Sequence, residues 1–297
     1  MLMFGLAFLC YPATSLAQSD KAPGFDPYVT IAGTFDVGYH QTQFFQAHHD
    51  TAVGQWDTRV EVWLPPFRRK FSWGPYLRVT GIGASQPESW ENGWLGGPGI
   101  GFQVYPFSSS AFRKPYSIVG KILGPLRVFS EYNRLDYWGY SGLPRKQIRF
   151  GAEYWRARHV NDLNKFWWAE IWSGVWWQSA NEFAPHYDTG IFANAARVGV
   201  RIPERHLLSA FTPYAALESS LTDNETYYWE NKLVTGGGIR FAPALSRWAG
   251  DSGWLSRFAI YSEYVHVAHY YRQSAPAWIP DYDVRVGITF SVGAWYR

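Results

Sequence analysis

The sequence predicts an all-β protein, a transmembrane barrel of about twelve antiparallel strands. Three observations carry that prediction. Apolar and polar residues alternate through run after run of the chain. Charge keeps to one parity of the alternation. The N-terminus reads as an export signal.

The C-terminal run VRVGITFSVGAWYR shows the alternation most plainly. Val284, Val286, Ile288, Phe290, Val292, Ala294 and Tyr296 form one set; Arg285, Gly287, Thr289, Ser291, Gly293 and Trp295 form the other. A strand sends the two sets to opposite faces. From the N-terminus, Val29, Ile31, Phe35, Val37 and Tyr39 give the first such apolar set. Val60, Val62 and Leu64 flank Arg59, Glu61 and Trp63, and Leu77 and Val79 flank Arg78. Ile100 and Phe102 flank Gly101. Val128 and Tyr132 alternate with Arg127 and Glu131, and Ile148, Phe150 and Tyr154 with Arg149 and Glu153. The second half repeats the habit. Trp167, Ala169, Ile171, Val175 and Trp177 face away from Glu170, and Val198 and Val200 away from Arg197 and Arg201. Ala215 and Leu217 flank Ala216, Ile239 and Phe241 flank Arg240, and Phe258, Ile260 and Tyr264 oppose Arg257 and Glu263. Turn-rich pieces such as SGLPRK and QSAPAWIPD separate the runs.

In the centres of these strands the apolar parity carries no Asp, Glu, Lys or Arg, while the other parity carries many. A lipid-facing exterior around a polar lumen produces that contrast. A soluble β-sandwich also alternates, with its charged set simply solvated. The even strand count, the export signal and the Trp and Tyr near strand ends favour the barrel. The chain ends on an apolar-parity aromatic, Tyr296, with Arg297 trailing it.

Composition agrees. Of 297 residues, 19% are aromatic, 17 being Trp, and only 17% are charged; the net charge of +3 gives no reason to expect a nucleic-acid partner. Residues 1–17 read as a signal peptide, with Leu2 to Leu9 apolar and Ser15 and Ala17 small at the cleavage site, although no basic residue precedes the run. Cys10 lies within it, so cleavage leaves a chain without thiols, disulfides or a Cys–zinc site. Residues 18–297 then form the barrel, and outer-membrane lipid is its expected surround.

Five stretches recur in the same order, which implies a duplicated six-strand unit, residues 28–158 and 166–297. WDTRVEVWLP resembles FANAARVGVRIP, GPYLRVTGI resembles TPYAALESS, and GGPGIGFQVYP resembles TGGGIRFAPAL. LRVFSEYNRL resembles FAIYSEYVHV, and QIRFGAEYW resembles VRVGITFSV.

The inward charges are the candidate functional residues. Arg59, Arg78, Arg127, Arg149, Arg197, Arg201, Arg240, Arg257 and Arg285 face Glu61, Glu131, Glu153, Glu170, Glu218 and Glu263. They either fill a narrow barrel with mutual ion pairs or line a path for an anionic or polyhydroxylated solute. Eight strands are filled by side chains and sixteen leave a channel, so twelve leave both readings open. Trp168, Trp172 and Trp176 share the inward parity of one strand; they could stack on sugar rings or plug the lumen. With the N-terminus in the periplasm, outer loops carry acids such as Asp50, Glu88 and Asp223, and periplasmic loops carry cations such as Arg68, Arg113 and Lys165.

Enzyme signals are weak. The histidines lack metal-ligand spacing, and His48-His49-Asp50 is a loop. Ser262 and His266 lie close in sequence but on the apolar parity. GPGIG and TGGGI are strand glycines without the Lys-Ser/Thr of a phosphate loop, so neither a cofactor nor a metal is expected.

Three stretches, YYWENKLVTGGGIRFAP, FAIYSEYVHVAHYY and DYDVRVGITFSVGAW, resemble the C-terminal barrel domain of bacteriophage adsorption protein A. They also resemble the related barrels of cellulose-type exopolysaccharide export. Glu230, Asn231, Lys232, Gly236, Gly238, Arg240, Glu263 and Tyr264 are the matching positions. The resemblance implies an outer-membrane pore or receptor in polysaccharide secretion. Such proteins often carry a helical-repeat region before the barrel; here almost nothing lies between Ala17 and the first strand, so either a separate periplasmic export protein supplies that role as partner or the function differs. Two alternatives stand beside this reading: a filled-barrel receptor or scaffold, and a lipid-modifying enzyme.

Overall fold

Strands form where the alternation lies. A computed structural model of the chain describes residues 28–40, 51–67, 71–85, 93–104, 126–138, 145–160, 165–179, 188–201, 210–223, 231–242, 255–271 and 281–296. The export signal, Cys10, His48, His49 and most of the charged loop residues lie outside these. The strands are β1 (Tyr28–His40), β2 (Thr51–Phe67), β3 (Phe71–Ala84), β4 (Gly93–Val104), β5 (Leu126–Tyr137) and β6 (Lys146–Arg158). The second half comprises β7 (Trp167–Gln178), β8 (Thr189–Val200), β9 (Phe211–Thr222), β10 (Lys232–Phe241), β11 (Leu255–His269) and β12 (Tyr282–Tyr296). Each strand pairs with its chain neighbour, and β1 pairs antiparallel with β12 from Val29↔Tyr296 to His40↔Arg285, closing the barrel.

Closure lets strands of this kind enter hydrocarbon, because no edge is left with unpaired N–H and C=O groups. Among the described residues no helix is long and apolar enough to cross a membrane; the strands cross instead. The β2–β3 ladder slips between Leu64 and Phe67, where Pro65 and Pro66 have no N–H to give. After β6 the chain turns through His159, whose φ of 54° is left-handed and whose ring meets Trp167 edge-on at 4.9 Å.

Register fixes sidedness. Phe150, Val175, Val198, Ile239, Tyr264 and Ile288 are all exposed on the outer face. Arg78, Arg127, Glu131, Arg149, Glu263 and Arg285 are all buried inside. Large apolar side chains outward and ionic ones inward is the reverse of a soluble sandwich. Ser262 and His266 also point outward, so they share the lipid-facing side and not a lumenal site. The aromatic rows of that face pack in pairs, Phe35 on Phe290 at 4.7 Å and Phe150 on Trp177 at 5.0 Å.

A charge placed mid-strand on the outer face should therefore be costly. Ile288→Arg, near the middle of β12, is expected to lower stability by about 2–4 kcal/mol in lipid vesicles. Urea titration followed by heat-dependent gel mobility measures this.

Candidate functional site

Among the described residues the lumen holds two ionic sets. The first is built by β2 to β6 around Glu131. Tyr76 Oη donates to Glu131 Oε2 at 2.8 Å, and Arg149 Nη1 and Asn133 Nδ2 donate to Oε1 at 2.7 and 3.1 Å. Arg78 reaches the same Oε1 at 3.5 Å and grips Asp57 with Nε and Nη2, each at 3.0 Å. Thr80 Oγ1 donates to Asp57 as well. Arg127 donates to Glu153 at 2.9 Å and to Glu61 at 3.2 Å, and Arg59 to Glu153 at 3.2 Å. Four guanidiniums thus meet four carboxylates. The arginines also lie over rings: Arg127 is 4.5 Å from the centroid of Tyr76 and Arg149 5.1 Å from that of Trp176.

The second set is built by β7 to β12 around Glu263. Tyr214 Oη donates to Glu263 Oε1 at 2.6 Å and Arg197 Nε to the same atom at 3.3 Å, while Arg285 Nη1 lies 3.5 Å from Oε2. Arg285 Nε donates to Asp283 at 2.8 Å and its Nη1 to Glu218 at 3.3 Å; Arg197 shares Glu218 at 3.2 Å. Arg240 lies 3.8 Å from Glu170 and 4.6 Å from the Trp168 centroid. Tyr214–Glu263–Arg285, on β9, β11 and β12, repeats Tyr76–Glu131–Arg149 on β3, β5 and β6.

Glycines make room for this filling. A Cβ on Gly99 would overlap the Tyr76 ring, and one on Gly199 would overlap Trp168. A Cβ on Gly101 would lie 2.8 Å from both Arg127 Nη2 and Glu61 Oε1. Tyr261, whose Oη donates to Asp36 at 3.0 Å across the β1–β12–β11 wall, fits over Gly287 in the same way.

The structure thus places the predicted lumen residues Arg59, Glu61, Arg78, Arg127, Glu131, Arg149 and Glu153 in one network. It places Glu170, Arg197, Arg240, Glu263 and Arg285 in the other. Arg201 is buried at the end of β8 and donates to the Val160 carbonyl at 3.2 Å, outside both. The Arg257 side chain lies outside the described residues. Trp168, Trp172 and Trp176 point inward but are 0%, 6% and 4% exposed, so they are packing and not an open stacking row. Trp168 lies against Tyr214, and Trp172 against Trp176. The sequence reading missed Tyr76, Tyr214, Asp57 and Asp283. A signal was present for the tyrosines: each follows a proline at the same place in GPYLRVTGI and TPYAALESS.

A closed hydrogen-bonded wall, an apolar exterior and an ionic interior define the class: this is a bacterial outer-membrane β-barrel. No protein-family model and no curated protein matches the chain. Solved structures with a similar outline include an outer-membrane channel from Pseudomonas putida F1, with TM-score 0.44 and 7% identity over 93% of this chain and 98% of that one. The beta domain of the Bordetella autotransporter BrkA gives TM-score 0.38 and 15% identity over 92% of this chain and 100% of that one. These likenesses are remote; the class rests on the protein's own sidedness.

Removing one partner of a buried pair strands the other. Glu131→Gln is expected to destabilise the barrel by about 3–5 kcal/mol, and Tyr76→Phe by about 1–3 kcal/mol. In a double-mutant cycle the two should be non-additive, whereas Tyr76→Phe and Tyr214→Phe, in separate networks, should add. Denaturant unfolding of the three single and two double variants tests this.

Proposed function

We propose that this barrel serves the secretion of an extracellular polysaccharide. It acts at the outer membrane as a docking or scaffolding component whose lumen is stopped by its own ion pairs. The observation that carries the stopped lumen is the state of the two central carboxylates. The Glu131 and Glu263 side chains are 1% and 2% exposed, each held by a tyrosine and two arginines. A carboxylate lining a wide water channel would keep much of its surface wet. The polysaccharide rests on the resemblance of the C-terminal stretches to exopolysaccharide-export barrels. A separate periplasmic export protein would be the partner on that reading.

One observation favours a second reading, a narrow passage that opens on demand. Arg59, Glu153 and Arg197 keep 14–15% of their side-chain surface, several times that of the carboxylates behind them. Members of both networks therefore reach toward the remaining interior.

In planar bilayers the wild-type barrel is expected to show little steady conductance. Glu131→Gln with Glu263→Gln, if it still folds, should raise it by freeing the arginines. A large ohmic conductance in the wild type would exclude a stopped lumen. Deletion of the gene is expected to reduce polysaccharide at the cell surface, and unchanged surface polysaccharide would exclude the secretion role.

A further inference from the structure

The lipid-facing parity of β5 and β6 is apolar through its centre, with Tyr132, Ile148 and Phe150 exposed there. At the rim it changes abruptly. Arg134 and Lys146 are register partners on this face, both exposed, and exposed Arg145, across from inward Leu135, stands beside them at the mouth of the barrel. The Leu135 N–H donates to the Arg145 carbonyl at 3.0 Å, which fixes the mouth of this hairpin beside Arg134. Like charges directly opposite on one face of a ladder repel, so this pairing is unfavourable by itself. Asp136, one outward position beyond Arg134, offsets one of the three positive charges.

The height of the cluster is informative. Down the same face of β6, Arg156 lies ten residues from Lys146, with apolar Ile148, Phe150, Ala152 and Tyr154 between. At about 3.4 Å per residue and a tilt of about 40°, that is roughly 26 Å, the height of a barrel's apolar band. On the next strand Trp167 and Trp177 are also ten residues apart on the outer face, in the manner of aromatic girdles. Trp138, 57% exposed and stacked on Trp56 at 6.3 Å, adds to the girdle just above Arg134. The cations therefore stand where acyl chains end and headgroups begin. With the termini in the periplasm, the β5–β6 hairpin faces the cell exterior.

We propose that Arg134, Arg145 and Lys146 form a binding site for a phosphorylated, acylated glycolipid of the outer leaflet. The three cations would take its headgroup phosphate, and the Tyr132, Ile148 and Phe150 face its acyl chains. Two guanidiniums and an ammonium suit a phosphate, which offers several acceptor oxygens and relieves the repulsion across the ladder. This site does not rest on the polysaccharide reading, only on the orientation of the barrel.

The test is native mass spectrometry of the full-length barrel in detergent, titrated with diphosphorylated lipid A or the same lipid without its phosphates. The wild type should retain the phosphorylated form preferentially. Arg134→Gln, Arg145→Gln and Lys146→Gln together should weaken that binding on the order of a hundredfold, a factor of roughly five per cation. Each single variant should show its own factor if the triple variant fails the heat-mobility test of folding. Arg156→Gln with Arg158→Gln, at the other rim, should leave binding unchanged. Equal retention of both lipids, an unaffected triple variant, or an equal loss in the far-rim variant would overturn the site.

Discussion

A backbone N–H that enters hydrocarbon without an acceptor costs several kcal/mol, and a strand carries one at almost every residue. The β1–β12 pairing removes that cost for the whole wall at once. Without it, β1 and β12 would each present a long open edge, and no number of good contacts in the lumen would offset two such edges. Closure also explains the tolerance for Pro75, Pro98 and Pro213 inside strands. Each removes a single ladder bond, and the strands on either side hold the geometry around it.

Closure fixes how much space must then be filled. A ring of twelve strands is wider than an eight-stranded barrel, whose interior side chains just fill, and narrower than an open porin. Apolar filling would have been the simpler solution for stability, because buried ion pairs roughly break even against hydrophobic packing. Instead the lumen is filled with arginines, carboxylates and aromatic rings, and the glycines opposite Tyr76, Trp168 and Tyr261 let the largest rings lie flat against the wall. Charge filling of this kind adds little net stability but penalises every other arrangement, since a shifted strand would strand a guanidinium or a carboxylate. The networks therefore act as register pins for a wall whose backbone alone would accept slippage.

The wall was legible in the sequence because strand parity is a period of two and lipid and lumen demand opposite chemistry. Every parity assigned from Val29 to Ile288 agrees with the face on which the described side chains lie. Ion pairs between ladder partners, such as Glu131–Arg149 and Glu153–Arg127, follow once the register is known, but pairs across the lumen were not legible: Glu153 also meets Arg59, four strands away, and parity says nothing about that reach. Nor did parity decide whether Trp168 would be wet; its burial follows from Tyr214 and Arg240, which arrive from β9 and β10. The tyrosines that anchor both networks were visible only as part of a repeat, where a residue between Pro and an apolar position draws no attention as chemistry.

One contact recurs in each half of the barrel. Tyr76–Glu131–Arg149 and Tyr214–Glu263–Arg285 make the same contact in the two halves, and three side chains from three strands must keep both parity and height to meet. The surroundings differ. Arg78, which joins Glu131 to Asp57, corresponds to Ala216 in the second half; by ladder register, which sets the last strands one residue off the sequence match of QIRFGAEYW to VRVGITFSV, Arg149 corresponds to Arg285 and Glu153 to Thr289. The second half compensates differently, sharing Glu218 between Arg197 and Arg285. A constraint on register alone would be met by any well-paired network. What the two halves share is the tyrosine–carboxylate–arginine unit, in which the phenol and the guanidinium meet opposite oxygens of one buried carboxylate. In each half that carboxylate is among the least exposed charges of the lumen, at 1% and 2%, so it is the group least able to lose a partner.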